Sequence, residues 1–272
     1  MSNTIADAGP PGKALHGILV RIVAGVQKDI DALPDRADER VHDIRVGMKN
    51  FRAVMRLAAA VLPKKSLVRG DKLARGLKEH FASTRDNDVL RALLRDLLSA
   101  GEASETEEIL GLSAVASGAA AIADPEAGEI CRKLTRFAEG LNLDLLSGEN
   151  IGEAWLSTYR AARRAMKRCA KNEDDDTLFH DWRKRVKELL YQSAILAFPP
   201  VAEGIARQAQ ELSSQLGAHH DLALLCERLS LSLPGSHSEK AARSRKDDFV
   251  RRALNTGREL FAKKPSRLHI PQ

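Results

Sequence analysis

The chain has 272 residues, 43% hydrophobic and 29% charged, enough to bury one large or two modest cores. It holds 43 basic and 37 acidic side chains, net +6, with 4% aromatics and abundant Ala and Leu, which favours helices over sheets and an anionic partner: nucleic acid, membrane surface or phosphate polymer. No apolar run is as long as a membrane span, the opening MSNTIADAGPPG lacks the regions of a signal peptide, and Cys131, Cys169 and Cys226 fit neither a disulfide frame nor a zinc site, so reduced thiols packed in the cores of a cytoplasmic protein are expected.

In chain order, residues 1–11 read as a disordered tail ending at Pro-Pro-Gly. Lys13 to Ile30 forms a first helix, with Leu15, Leu19, Ile22, Val26 and Ile30 on one face. Leu33-Pro34-Asp35 is a turn, and Asp38 is placed to cap the next helix.

That helix, Val41 to Pro63, organises the chain. Val41, Ile44, Met48, Phe51, Met55, Ala58 and Leu62 make an apolar stripe at spacings of three and four. One residue on from five of them stand His42, Arg45, Lys49, Arg52 and Arg56. Ile44 to Leu62 contains no acid, so the cations have no partner at i,i+3 or i,i+4. A solvated face usually mixes signs; a one-sign stripe beside the core points to an anion site.

Leu67 to Ser83 forms a third helix carrying Lys72, Arg75 and Lys78. STRDNDVLRALLRDLL begins a fourth at Asp86 or Asp88, Glu102 to Ala123 is a small-residue helix, and Glu126 to Leu146 is another. Leu146 to Asn150 is the boundary between halves. The second half opens with Trp155 to Lys171, six cations and no acid, with Arg160, Arg164, Lys167 and Lys171 on one face. Phe179 to Pro199, FHDWRKRVKELLYQSAILAFP, then repeats the first motif: VHDIR matches FHDWR, and Met48-Lys49 matches Val186-Lys187. Ser193 is the one polar break in its apolar stripe; His180, Arg183 and Lys187 repeat the basic stripe, and Tyr191 continues it. Ile205 to Gly217 carries Arg207, which matches Lys72, and LGAHHDLALLCERL aligns with FASTRDNDVLRALL, setting Asp221 against Asp86. Both aspartates are read as helix caps or supports for nearby arginines, in structural roles. Glu239 to Lys264 is the last helix. The whole is all-α: two pseudo-symmetric four-helix bundles with additional helices.

These residues resemble the CHAD family, the α-helical domain named for its histidines. The carriers are HDIRVGMKNFR at 42–52, the RD at 85–86, HDWRKRVKELLY at 180–191, LGAHHDL at 216–222 and RELFAKKP at 258–265. The resemblance implies one domain over 12–265, with halves 12–147 and 151–265 and a tail from 266 to 272. It implies a basic groove between the bundles that binds inorganic polyphosphate without turning it over, and a protein found in the cytoplasm, at polyphosphate granules. The motif places His42, Arg45, Lys49, Arg52 and Arg56 at the anion in one half, and His180, Arg183, Lys187 and Tyr191 in the other. Lys72, Lys78, Arg85, Arg160, Arg164, Lys167, Arg207 and Lys263 are the further expected contacts. Leu190 occupies the slot of Arg52, so the second stripe is less basic, and Arg160, Arg164 and Lys167 are expected to compensate. The chain carries no Glu-x-Glu-x-Lys signature of the CYTH triphosphatase domain that often accompanies the family.

Nucleic acid is the main rival ligand, opposed by the scarcity of aromatics for base stacking. A phosphate-processing enzyme is the weakest reading: Gly9-Pro-Pro-Gly-Lys13 lacks the spacing and Ser/Thr of a P-loop, and no paired carboxylates stand near the stripes. No His, Asp or Glu cluster has metal-ligand spacing, and no cofactor is expected.

Overall fold

A computed structural model describes residues 9–33, 36–81, 85–112, 125–196 and 201–268. Among the described residues there are ten α-helices, one short 3-10 turn and no strand. They are α1 (Pro11–Asp31), α2 (Ala37–Leu57), α3 (Lys64–His80), α4 (Arg85–Leu97), α5 (Ala100–Ile109), α6 (Pro125–Glu139), α7 (Gly148–Cys169), α8 (Asp176–Leu196), α9 (Val201–Ser232) and α10 (His237–Leu260).

The first half closes a four-helix ring from α1, α2, α3 and α6: α1 packs on α2 and α6, and α3 packs on the same two. In the second half α7, α8, α9 and α10 pack in succession. The halves meet through the two motif helices, α2 on α8, with α7 also touching α2. One buried core runs through both, from Ala14 to Leu268. Ile44, Met48, Phe51, Val54 and Leu57 of α2, and Phe179, Trp182, Val186 and Leu189 of α8, are all essentially inaccessible, as their periodicity requires. Cys131, Cys169 and Cys226 are buried, and burial pushes the first two thiols up to about 11 and about 12.

Several local expectations are corrected. α2 begins four residues earlier than Val41 and ends at Leu57, with Ala58 to Val61 in a turn before Pro63. Asp38 falls inside its first turn, and the residue preceding the helix is Arg36, in the left-handed region at φ 51°. α5 stops at Ile109, and the rest of the Ala/Gly/Ser segment, 113–124, lies outside the described residues. Ile205 to Gly217 and the segment after it are one helix, the 32-residue α9. The supposed tail after 265 starts as a 3-10 turn, Pro265–Arg267, and Leu268 is buried in the main core. Within the expected boundary stretch Leu146 to Asn150, Ser147 caps α7 in a reciprocal pair with Asn150.

The first half also reaches across to the second. α4 and α5 leave the α1–α2–α3–α6 ring, and α4 packs on α9 and α10. There Leu90, Leu94, Ala103 and Leu112 join Leu225, Cys226, Leu229 and Ala242 in a separate small core. The Thr106 and Ser238 hydroxyls, 3.2 Å apart, tie α5 to α10 inside it.

Candidate anion-binding site

The α2–α8 contact decides what the basic stripes do. It is pinned at its centre by a buried Gln192, whose Nε2 donates to the Ala53 carbonyl across the interface at 3.1 Å. The next residue, Ser193, accepts the Trp155 indole N–H at 2.9 Å, which explains the polar break in the α8 stripe. Because each basic stripe lies one residue off its apolar stripe, docking the apolar faces brings the cations to a shared edge. Lys49 and Lys187 then come within electrostatic reach across the seam.

Lys187 is strongly perturbed. Burial, reinforced by Arg183 and Lys49 and opposed by Asp221, pushes its ammonium down to about 8. Burial also lowers Arg183, again against Asp221. The Arg183 Nε is buried and makes no hydrogen bond. Gly217 of α9 lies against this guanidinium; a Cβ there would stand 4.0 Å from Nε. Tyr191, one turn beyond Lys187, is raised by burial and feels Arg183. At the other end, the His180 and His220 rings lie 4.7 Å apart. Burial, then Lys184, His220 and Arg183, holds His180 down at about 4, so it is neutral at pH 7. Its Nδ1 is buried without a hydrogen bond.

The α2 side continues the seam onto α3. Arg45 donates to the Phe81 carbonyl at the C-terminus of α3, at 3.1 Å. Lys78 of α3 sits among Arg45 and Arg52; burial first, and then those two cations, lowers it. Arg52 donates to Asp71 at 2.6 Å, and Arg75 holds the other oxygen of that carboxylate. Burial disfavours an ionised Asp71, but these hydrogen bonds outweigh it and keep the carboxyl below its ordinary range. Arg56 is turned away from the expected role: it pairs with the buried Glu188 of α8 at 2.7 Å, a strut between the two helices.

Eight of the expected residues thus fall in one continuous seam: Arg45, Lys49, Arg52, Lys78, His180, Arg183, Lys187 and Tyr191. His42 lies on the same helix, exposed one turn before Arg45. Lys72 is exposed on α3, Arg207 on α9, and Arg164 and Lys167 on α7. Arg160 faces Glu153 at 3.4 Å. The cations that Lys187 and Lys78 feel are those of α2, α8 and Arg75, not those of α7. The expected compensation from α7 is therefore not what the packing delivers; that helix instead uses Arg163 and Tyr159 to bind the carbonyls of Phe261, Leu260 and Lys263. Lys263 contributes this backbone carbonyl, with its side chain exposed. Arg85 is the first residue of α4, and its side chain is outside the described residues.

Two further residues, Asp221 and His220, belong to the seam, and His220 was missed by the sequence reading. Asp221 lies in the interior of α9, which rules out a cap and leaves the other expected role, support of an arginine: it is the carboxylate felt by Arg183 and Lys187. His220 faces His180, whereas its neighbour His219 turns inward, stacks on Phe179 and stands 3.3 Å from Asp176. The signal was present: on a helix, Gly217, His220 and Asp221 share one face at i, i+3, i+4.

The CHAD domain profile matches residues 20–230. The chain belongs to the CHAD domain family. Its fold is also similar to the crystal structure of the CHAD domain from the plant Ricinus communis, with a TM-score of 0.61 at 17% identity, over 100% of this chain and 96% of that one. No curated protein matches the chain. Among the described residues of this CHAD domain no helix is long and apolar enough to cross a membrane, and no His, Cys, Asp or Glu cluster is arranged to hold a metal ion.

Proposed function

We propose that this CHAD protein binds inorganic polyphosphate along the α2–α8 seam and does not turn it over. One observation carries the reading: Arg183 and Lys187 are buried cations that both face Asp221, the Arg183 Nε makes no hydrogen bond, and burial has driven Lys187 down to about 8. A protein loses stability by holding such a cluster, and a polyanion restores it. Polyphosphate fits this role because it offers a line of oxygens for Arg and Lys and no base to stack. Both tryptophans are core residues, and the rings left at the seam, Tyr191 and the His180–His220 pair, are few for stacking successive bases. Cytoplasmic residence, with recruitment to polyphosphate granules, follows from the same reading.

Long-chain polyphosphate and single-stranded DNA of equal charge are titrated in one buffer. Tighter polyphosphate binding is expected, with log affinity falling nearly linearly in log salt. Equal or tighter DNA binding, or release of orthophosphate with Mg²⁺ present, would overturn the reading.

A further inference from the structure

On the far side of α3 from the seam, between α3 and α6, lies a groove of about 870 Å³. Its floor is apolar: Leu73, Ile130, Phe137 and Leu141. Leu73, Ile130 and Leu141 are only partly buried, so the floor is a strip of the main core left uncovered. Gly76 opens one wall, since a Cβ there would meet nothing within 4 Å. The rim is cationic on both sides, with Arg69 and Lys72 on α3 and Lys133 and Arg136 on α6. Arg69 lies over the Phe137 ring at 5.7 Å. Arg132, Lys133 and Arg136 gather around one carboxylate, Glu129, at 2.9, 3.5 and 3.8 Å, so three cations meet one acid on this stretch of α6, although Glu126 and Glu139 near its two ends bring the whole helix to neutrality.

We infer that this groove docks an acidic amphipathic helix of a partner protein, its apolar face on the floor and its carboxylates between the two basic rims. The floor follows two helices for about 15 Å, the length of about three helical turns. On α6, Ile130, Lys133 and Phe137 recur at i, i+3 and i+7 along one face, and Leu141 extends the strip just past the end of the helix, a line along which a third helix can lie. A phosphate polymer has nothing to bury against Leu73 and Ile130. A second copy would bring a molecule of net charge +6, in which α5, with Glu102, Glu105 and Glu108 exposed, is an acidic face. The outward side of α5 has one large apolar residue, Ile109, too little to fill the floor.

The test uses the full chain and a fluorescein-labelled peptide of about 15 residues, with Leu at i, i+3, i+4 and i+7 and Glu on the flanks. Anisotropy should show binding at least about tenfold tighter than for a scrambled isomer of the same composition. Gly76→Leu, which fills the groove without touching the core, and Lys133→Glu with Arg136→Glu should each remove that preference. Ile130→Glu should do the same if it folds, as judged by melting. Polyphosphate affinity of the Lys133/Arg136 variant should stay within about twofold, which separates this groove from the seam. No preference for the helical peptide, or binding untouched by Gly76→Leu, would overturn the proposal. So would groove occupancy by phosphatidylglycerol vesicles in preference to the peptide, or self-association in sedimentation that Glu105→Lys with Glu108→Lys abolishes.

Discussion

On α2, two of the stripe's arginines already have carboxylates: Arg52 holds Asp71 at 2.6 Å and Arg56 holds Glu188 at 2.7 Å. On α8, Arg183 and Lys187 lie deeper, feel Asp221 and each other, and are both lowered by burial. The two helices carry nearly one string, HDIRVGMK and HDWRKRVK, yet one presents partly neutralised cations and the other strained ones. A repeat in sequence is therefore not a repeat in electrostatics. The acids that tell the stripes apart sit on other helices, and one of them, Glu188, belongs to the opposite motif. The gain on meeting an anion should be larger where the charge is less answered, so α8 is expected to dominate binding although it is the less basic stripe.

The strongest way to break this comparison is to delete each pair of cations in turn. Arg183→Ala with Lys187→Ala should lower polyphosphate affinity by about 100-fold or more, since charge-assisted contacts are worth roughly 1.5–3 kcal/mol each. Arg52→Ala with Arg56→Ala should lower it by less than about tenfold, because both side chains are already engaged. Calorimetry at one salt concentration decides; equal losses would mean that the two halves act alike.

Proton linkage at Lys187 is next in size. Its ammonium titrates at about 8 in the free protein, and a bound anion raises that value. Below pH 8 the lysine is charged with or without ligand, and affinity is at its plateau. Above pH 8 affinity should fall by up to about tenfold per unit until the raised value is passed. Lys187→Met should bind more weakly and lose this dependence. The stability sign is opposite to that of a salt bridge: a lysine lowered on folding costs stability below pH 8, and the cost fades as pH rises from 8 toward 10.5. Unliganded Lys187→Met should therefore melt about 2–4 °C higher than the native chain at pH 7, for each kcal/mol relieved, with no gain near pH 11. A lower melting temperature at pH 7 would show that the lysine stem packs more than its charge costs.

A smaller effect sharpens the comparison from the α2 side. Asp71→Asn releases Arg52 and Arg75, and polyphosphate affinity should rise by about three- to tenfold. Unchanged affinity would mean that Arg52 never reaches the ligand. The smallest effect is expected of Lys240→Ala, an exposed cation of α10 away from both stripes: a change of less than about twofold and an unaltered salt slope. If it matters as much as Arg183, binding is diffuse attraction and no seam exists.

Helix content, the two core stripes and the basic stripes beside them were readable from periodicity, because each depends on residues three and four apart in one chain segment. The polar Ser193 was visible as an anomaly but not as an answer, since its partner Trp155 lies on another helix. The two roles open to Asp221, a cap or a support for arginines, could not be separated because α9 appeared to be two elements; its small residues, Gly217 and Ala218, interrupt the apolar signal without breaking the helix. The displacement of α4 onto α9 and α10 could not be foreseen, because an amphipathic face states that it must be covered and not by what. In the same way, local pattern determined that this CHAD chain would have two one-sign stripes. Tertiary packing alone decided that Arg56 would strut the interface, that Arg52 would meet Asp71, and that Lys187 would be buried against Lys49. Those are encounters between distant segments, and their energies depend on burial and on distances that no spacing along the chain encodes.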